Sequence, residues 1–185
     1  MFVAMRAGKT TIGELSSSIS FVASIAANAG VALDDVLAAT AALTKGGIPT
    51  QRAMRGLAQV FASVTKPASE AVKQAADLNL EFDAMALKSK GLAGFLEDIA
   101  IKTGGSTTAI ANLFGGVEAI VPILSLAGEQ NQDFLDILAD MIKRLPETEK
   151  AFDKMADSQA FKLRQLEGRW EDVKIASGDF FLGVT

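Results

Sequence analysis

Apolar residues recur at helical spacing along almost the whole chain, and glycines or prolines interrupt them at short intervals. The most regular stretch runs from Ala27 to Ala71. Leu33, Val36, Leu37, Thr40, Leu43 and Thr44 fall at the i, i+3, i+4, i+7 positions of one helix face. After a break, Met54, Leu57, Ala58, Phe61 and Val64 repeat the pattern. Gly30, Gly46 and Gly47 stand where a helix end wants a left-handed residue, a conformation open to glycine because it has no Cβ to clash. The pattern predicts a helical hairpin, closed by Thr65-Lys66-Pro67.

Upstream, Thr11-Ile12-Gly13-Glu14 has the form of a capping box, a hydroxyl at the N-cap and a carboxylate three residues later. The helix it opens carries Ile12, Leu15, Ile19, Val22 and Ala26 on one face. No charge lies between Leu15 and Leu33, and Ser16, Ser17, Ser18, Ser20 and Ser24 give a small, mildly polar face suited to a close helix–helix contact. Residues 1–10 are poorly patterned and read as a frayed leading segment or the end of a preceding helix. Gly8-Lys9-Thr10 invites a phosphate-loop reading, but GxxxxGK[ST] needs glycine at position 3, which is Val3, and a preceding strand that the pattern lacks.

Downstream, a helix is expected from Pro67 to about Asp77 or Leu78. Between Asn79 and Lys90 the apolar residues Leu78, Leu80 and Phe82 alternate, which predicts a short extended piece or small hairpin. Leu92, Phe95, Leu96 and Ile99 resume helical spacing up to Gly104-Gly105. Ser106 or Thr107 then caps a short helix ending at Phe114, before Gly115-Gly116. Glu118 to Leu126 forms another, in which Pro122 is expected to kink or restart the helix. Phe134, Leu138, Met141 and Leu145 define a helix that should stop before Pro146, and a longer one is expected from about Glu147 onward.

Thr103 to Gly128 holds one charge, Glu118, over about the length of a membrane span. Its glycines and proline argue for short buried core helices instead, since a break exposed to lipid would leave backbone groups unpaired.

Composition narrows the chemistry. Nearly half the residues are apolar, aromatics are few and tyrosine is absent, a mix that suits close-packed helices better than sheets. With neither cysteine nor histidine, the chain excludes disulfides, thiolate or imidazole metal sites, cysteine nucleophiles and Ser–His triads. A net charge of −4 gives no electrostatic reason for tight or sequence-specific binding to nucleic acid. Acidic pairs occur at Asp34-Asp35, Glu97-Asp98, Asp133 with Asp136, and Glu171-Asp172. Adjacent residues of a helix point about 100° apart, so Asp34-Asp35 and Glu171-Asp172 cannot flank one substrate bond from their own helices. Asp133 and Asp136 share a face at a helix start, where acids favour the positive dipole end. Neither an enzyme nor a cofactor is expected.

The strings AGVALDDVLAATAALTKGGIPTQRAMRGL and TKPASEA resemble the core region of phage tail tape measure proteins of the TP901 type. The matching positions include Ala29, Gly30, Val31, Asp35, Leu43, Thr44, Gly47, Ile48, Ala53, Arg55, Leu57, Pro67, Glu70 and Ala71. Two further patches, Leu113 to Glu129 and Met155 to Phe181, follow in the family's order. Ala32 stands where the family has a serine N-cap, Pro49 stands at a similar cap, and Gly116 replaces a common arginine. The resemblance implies a structural role in the virion, in the tail lumen or at the tail tip. The full protein would set tail length as tube subunits polymerise around it, then leave ahead of the DNA at ejection. The implied partners are further copies of itself, tail-tube and tail-tip proteins and tail assembly chaperones, with membrane contact only at ejection.

The resulting expectation is an all-α, multi-helix bundle of short helices punctuated by glycine and proline, with a longer C-terminal helix. Residues 11–146 form the helical core and residues 147–185 the C-terminal helix, and the chain reads as a fragment of a longer protein. Phe152, Ala156, Gln159, Leu163, Leu166, Trp170, Val173, Ser177 and Phe180 follow an alternating four-three spacing, the a/d seam of a coiled coil. Leu163, Leu166, Trp170 and Val173 are the candidate site, a parallel contact between copies. Two rival readings are a membrane-active, channel-forming module and a generic helical adaptor.

Overall fold

The computed structural model describes residues 2–156. The chain divides into two units, Met1–Ile142 and Lys143–Thr185. The described residues form helices α1 (Phe2–Ala7), α2 (Ile12–Asn28), α3 (Leu33–Lys45), α4 (Thr50–Thr65), α5 (Ser69–Asp77), α6 (Ala84–Thr103), α7 (Thr107–Phe114), α8 (Ile120–Ala127) and α9 (Asn131–Ala156), with no strand among them. The fold is all-α, as the periodicity predicts.

The centre of the first unit is α3. Every residue from Val36 to Thr44 is buried, so the helix is enclosed on all sides, with α1, α2, α4 and α8 packed against it. The single predicted stripe understates this, because Ala38, Ala39, Ala41 and Ala42 are small enough to let neighbours close in on the remaining faces. Leu33, expected on the buried face, is 47% exposed because it occupies the first turn, outside that socket. The polar members of the core are satisfied locally: the Thr40 hydroxyl donates to Val36 O at 2.7 Å and that of Thr44 to Ala41 O at 2.9 Å. In α4 the predicted face is buried throughout, from Met54 to Val64.

Four helices end alike. After α2, Gly30 N–H donates to Ala27 O and Val31 N–H to Ala26 O. The same paired bonds close α3 at Gly47 and Ile48, α5 at Asn79 and Leu80, and α6 at Gly104 and Gly105. Each places a residue at positive φ: Gly30 at 75°, Gly47 at 91°, Asn79 at 50° and Gly104 at 60°. Gly46 departs from expectation, with φ −71°; the Gln130 side chain lies where a Cβ would stand, 2.9 Å away, so smallness explains this glycine.

The leading segment is packed rather than frayed. Ala4 of α1 is fully buried, and a Cβ on Gly8 would meet Thr44 Oγ1 at 2.5 Å and Ala41 Cα at 2.8 Å. Lys9 N–H donates to Thr44 Oγ1, and the Thr10 and Thr50 hydroxyls bond at 2.7 Å. Gly8-Lys9-Thr10 thus closes the bundle against α3 and α4.

No hairpin forms at 79–90. Leu80 and Phe82 alternate because the turn after α5 and the start of α6 both reach into the core, and Asp83 caps α6 by accepting from Ala86 N–H at 2.7 Å. Phe82 and Leu87, both buried, occupy the positions of a hydrophobic staple around that cap. The Phe82 ring meets Phe114 edge-on, with centroids 5.0 Å apart, and stacks toward Phe95 at 6.3 Å. Within α6, Gly91 is non-helical (φ 70°, ψ 168°) and breaks it into two segments.

Both proline expectations need correction. Pro122 lies in the first turn of α8, where no intrahelical bond requires its missing N–H, so no kink or restart follows. At Pro146 the helix continues, α9 running unbroken from Asn131 to Ala156. Helix-favouring Glu147, Glu149, Lys150 and Ala151 carry it past the single lost bond. The longer C-terminal helix expected beyond residue 156 lies outside the described residues.

Candidate functional site

The acidic residues are spread among caps and ion pairs. Asp34 and Asp35 occupy the first turn of α3, and burial, then the neighbouring Asp34 charge, raises the Asp35 carboxyl above the ordinary range. Asp133 pairs with Lys45 at 2.5 Å, joining α9 to the end of α3. Asp136 accepts from the Gln132 amide at 2.8 Å. Lys90 binds Asp98 at 2.7 Å and Glu81 at 2.9 Å, and these hydrogen bonds hold its ammonium above the ordinary lysine value. Among the described residues no group of three or more acids gathers in a way that could hold a metal ion. Glu171 and Asp172 lie outside the described residues.

So do Leu163, Leu166, Trp170 and Val173, the residues that the heptad spacing nominates for contact between copies. What the structure offers instead is surface on the first unit. One open groove of about 390 Å³ is lined by Pro49, Gln51, Arg52 and Arg55 on one side and Val117, Glu118 and Val121 on the other. Across Gln51 and Arg55 lies a second, of about 220 Å³, bordered by Ser17, Ser18 and Phe21 of α2 with Met54 buried below. Neither arginine is ion-paired with a described residue, so the grooves meet at a positive ridge.

The serine face of α2 turns outward rather than into a helix contact. Ser16, Ser17, Ser20 and Ser24 are exposed, with Phe21 beside them at 58%. Leu15, Val22 and Ala26 make the packed face, with Ile19 half-buried and Ile12, in the first turn, exposed. Ser16 and Ser17 donate back to Ile12 O and Glu14 O, which satisfies them without a partner helix. Sequence reasoning also missed a second exposed apolar surface, Leu135 and Ile142 on α9. Phe134, Leu138 and Met141 defined the helix there and drew attention to the face that packs inward.

The Thr103–Gly128 stretch is a core element: Ile110, Leu113, Phe114, Ile123 and Leu126 are all buried. Among the described residues no helix is long and apolar enough to cross a membrane.

Residues 1–115 match the family model described as phage-related minor tail protein, which is more than half of the 185 residues. The chain belongs to that family. Membership gives this tail protein a structural role in a phage tail, within the virion and in contact with other tail proteins. The match takes in α1 to α7, including the buried hairpin of α3 and α4, and ends at the glycine pair that precedes Val117. No curated protein and no solved structure matches the tail protein.

Proposed function

We propose that this minor tail protein is a folded part of a tape measure protein, the component that sets tail length during tube assembly and is released ahead of the DNA. The observation that carries the reading is α3. The strings resembling tape measure proteins centre on the α3–α4 hairpin, and there α3 is buried on every side. A ruler must lengthen by about 1.5 Å per residue of uninterrupted helix. A helix enclosed from Val36 to Thr44, in a body broken repeatedly by glycine, fits a compact anchor or head and leaves the extended ruler to other sequence of the parent protein.

Its role is structural, with no reaction and no cofactor assigned. Its partners are further copies, tail-tube and tail-tip proteins and assembly chaperones, and its place is the tail lumen or tip. Copies join in parallel through Leu163, Leu166, Trp170 and Val173. Replacing Leu166 and Trp170 by lysine is expected to dissociate the oligomer in ultracentrifugation while helicity is largely kept. A wild-type chain that sediments as a monomer at high concentration overturns that contact.

Electron microscopy of assembled tails tests the length-setting reading. In-frame deletions in the parent protein outside these residues should shorten tails by about 1.5 Å per residue removed, whereas Leu43→Asp, which buries an unpaired carboxylate in the core, should abolish assembly. Tails of unchanged length after such deletions refute the proposal.

A further inference from the structure

The ridge between the two grooves of the first unit is the N-terminal half of α4, and its charge is of one sign. Arg52 and Arg55 are exposed, lie three apart on one helix face, and have no ion-pair partner among the described residues. Arg6, Lys45, Lys73 and Lys90, by contrast, each have a carboxylate within 3.6 Å. A guanidinium is a planar fork that pairs two ways with a carboxylate, so two unpaired ones a turn apart suit an anionic partner.

Each groove beside the ridge also exposes a large apolar side chain. Phe21 of α2, 58% exposed, borders one, and Val117, 69% exposed, borders the other. The spacing of the walls is fixed. Gly56, next to Arg55, brings α8 so near that a Cβ there would stand 2.7 Å from Glu118 O and 2.8 Å from Pro122 Cγ. A partner therefore meets a preformed surface, apolar on both flanks and cationic along its crest.

Glu118 decides which anion fits. It lines the Val117 groove and has no ion-pair partner among the described residues. A phosphate backbone, negative at every step, is repelled there and by the net charge of −4. A polypeptide can set one carboxylate on the arginines and carry no charge opposite Glu118. Size then selects its conformation. Grooves of about 390 and 220 Å³ take side chains but cannot seat a helix, which is about 10–12 Å across. In an extended chain alternate side chains share a face, and residues i and i+4 lie about 13 Å apart. That span clears the width of α4, with residue i+2 above the crest.

We propose that Arg52 and Arg55 receive a carboxylate of another tail protein, carried on an extended segment whose apolar side chains two residues before and after the acid enter the two grooves. Contact with other tail proteins comes with family membership and does not depend on the length-setting role. The titration below and the tail-length measurement therefore fail independently.

The probe is a short synthetic peptide with leucine, glutamate and leucine at alternate positions, spaced by serine, titrated into the full isotope-labelled chain and followed by NMR. The amide resonances of Gln51, Arg52, Arg55 and Val117 are expected to shift. Glutamine in place of the peptide's glutamate should weaken binding at least about tenfold, and so should Arg52→Gln with Arg55→Gln in the protein. Phe21→Ser and Val117→Ser should each weaken it at least about threefold. All four changes are at exposed sites, and unaltered circular dichroism spectra verify that the fold is kept. No shift at these amides with millimolar peptide, or equal binding of the glutamine peptide, overturns the proposal. A single-stranded DNA oligonucleotide that binds the same amides more tightly than the peptide also overturns it, by assigning the ridge to nucleic acid. So does self-association of the wild-type chain that Arg52→Gln with Arg55→Gln abolishes, which assigns the ridge to a second copy.

Discussion

Gly56 offers a direct measurement of how closely the central helices approach. It is buried on α4, and a Cβ built there would stand 2.7 Å from Glu118 O, 2.8 Å from Pro122 Cγ and 3.0 Å from Pro122 Cδ. A backbone oxygen and a proline ring have little freedom to yield, so Gly56→Ala must push α8 off α4. Overpacking of this kind costs about 1–3 kcal/mol. It is partly hidden, because alanine is favoured over glycine within a helix by roughly 0.5–1 kcal/mol. Gly94 in α6 supplies the correction: the nearest atom to its Cβ would be Lys90 Cβ at 3.8 Å, an ordinary contact, so Gly94→Ala should show the propensity gain alone. The difference between the two variants cancels propensity and leaves the steric cost, about 1–3 kcal/mol. Urea denaturation followed by circular dichroism at a fixed protein concentration measures both. If Gly56→Ala is stabilised as much as Gly94→Ala, α4 and α8 are not in the close contact described.

Three further outcomes are expected. Ala32, the N-cap of α3, makes no side-chain hydrogen bond, so Ala32→Ser should add a cap and stabilise the fold by about 0.5–2 kcal/mol in the same assay. Gly91 holds a backbone conformation closed to other residues with nothing within 4 Å of its would-be Cβ; Gly91→Ala should therefore lose about 1–3 kcal/mol through strain alone, and an unchanged midpoint argues against the break in α6. Asp35 has its pKa raised by folding, which means the folded state holds its proton more tightly than the unfolded one. Its effect on stability is absent below the unfolded pKa and becomes a penalty as pH rises through the folded value. Asp35→Asn should accordingly stabilise more at pH 7 than at pH 3, and equal effects at both would count against a half-buried Asp35.

The helical class and the α4 face were fully legible, because amphipathic spacing registers one buried stripe well. The enclosure of α3 was not. Alanine carries little weight in an apolar pattern, and Ala38, Ala39, Ala41 and Ala42 admit neighbours by being small rather than by being greasy. At Leu78, Leu80 and Phe82 alternation imitated a strand, although a helix end followed by a staple produces the same spacing over so few residues. The cost of proline depends on whether the missing N–H had a partner, which a sequence pattern does not show and which Pro122, in the first turn of α8, lacks. The seam from Leu163 to Val173 rests on spacing alone and lies outside the described residues. The exposed Leu135 and Ile142 were hidden by sharing a helix with a strong inward stripe.

Three hydroxyls at the heart of the bundle bond within their own helices: Thr40 to Val36 O, Thr44 to Ala41 O, and Thr103 to Ile99 O. Among the described residues three polar ties hold α3 from outside: the Lys9 N–H on Thr44, the Thr40 hydroxyl on Met54 Sδ and the ion pair of Lys45 with Asp133. Drawn lengthwise from its socket, α3 would keep its internal bonds, give up those few ties and otherwise spend the work on wetting apolar surface. Resistance of that kind is short-ranged and returns when the surfaces meet again. Mechanically the socket of α3 is a greased joint, held chiefly by apolar contact, whereas Gln59 and Ser63 on Phe114 O and Gln74 on Ala109 O tie α7 to α4 and α5.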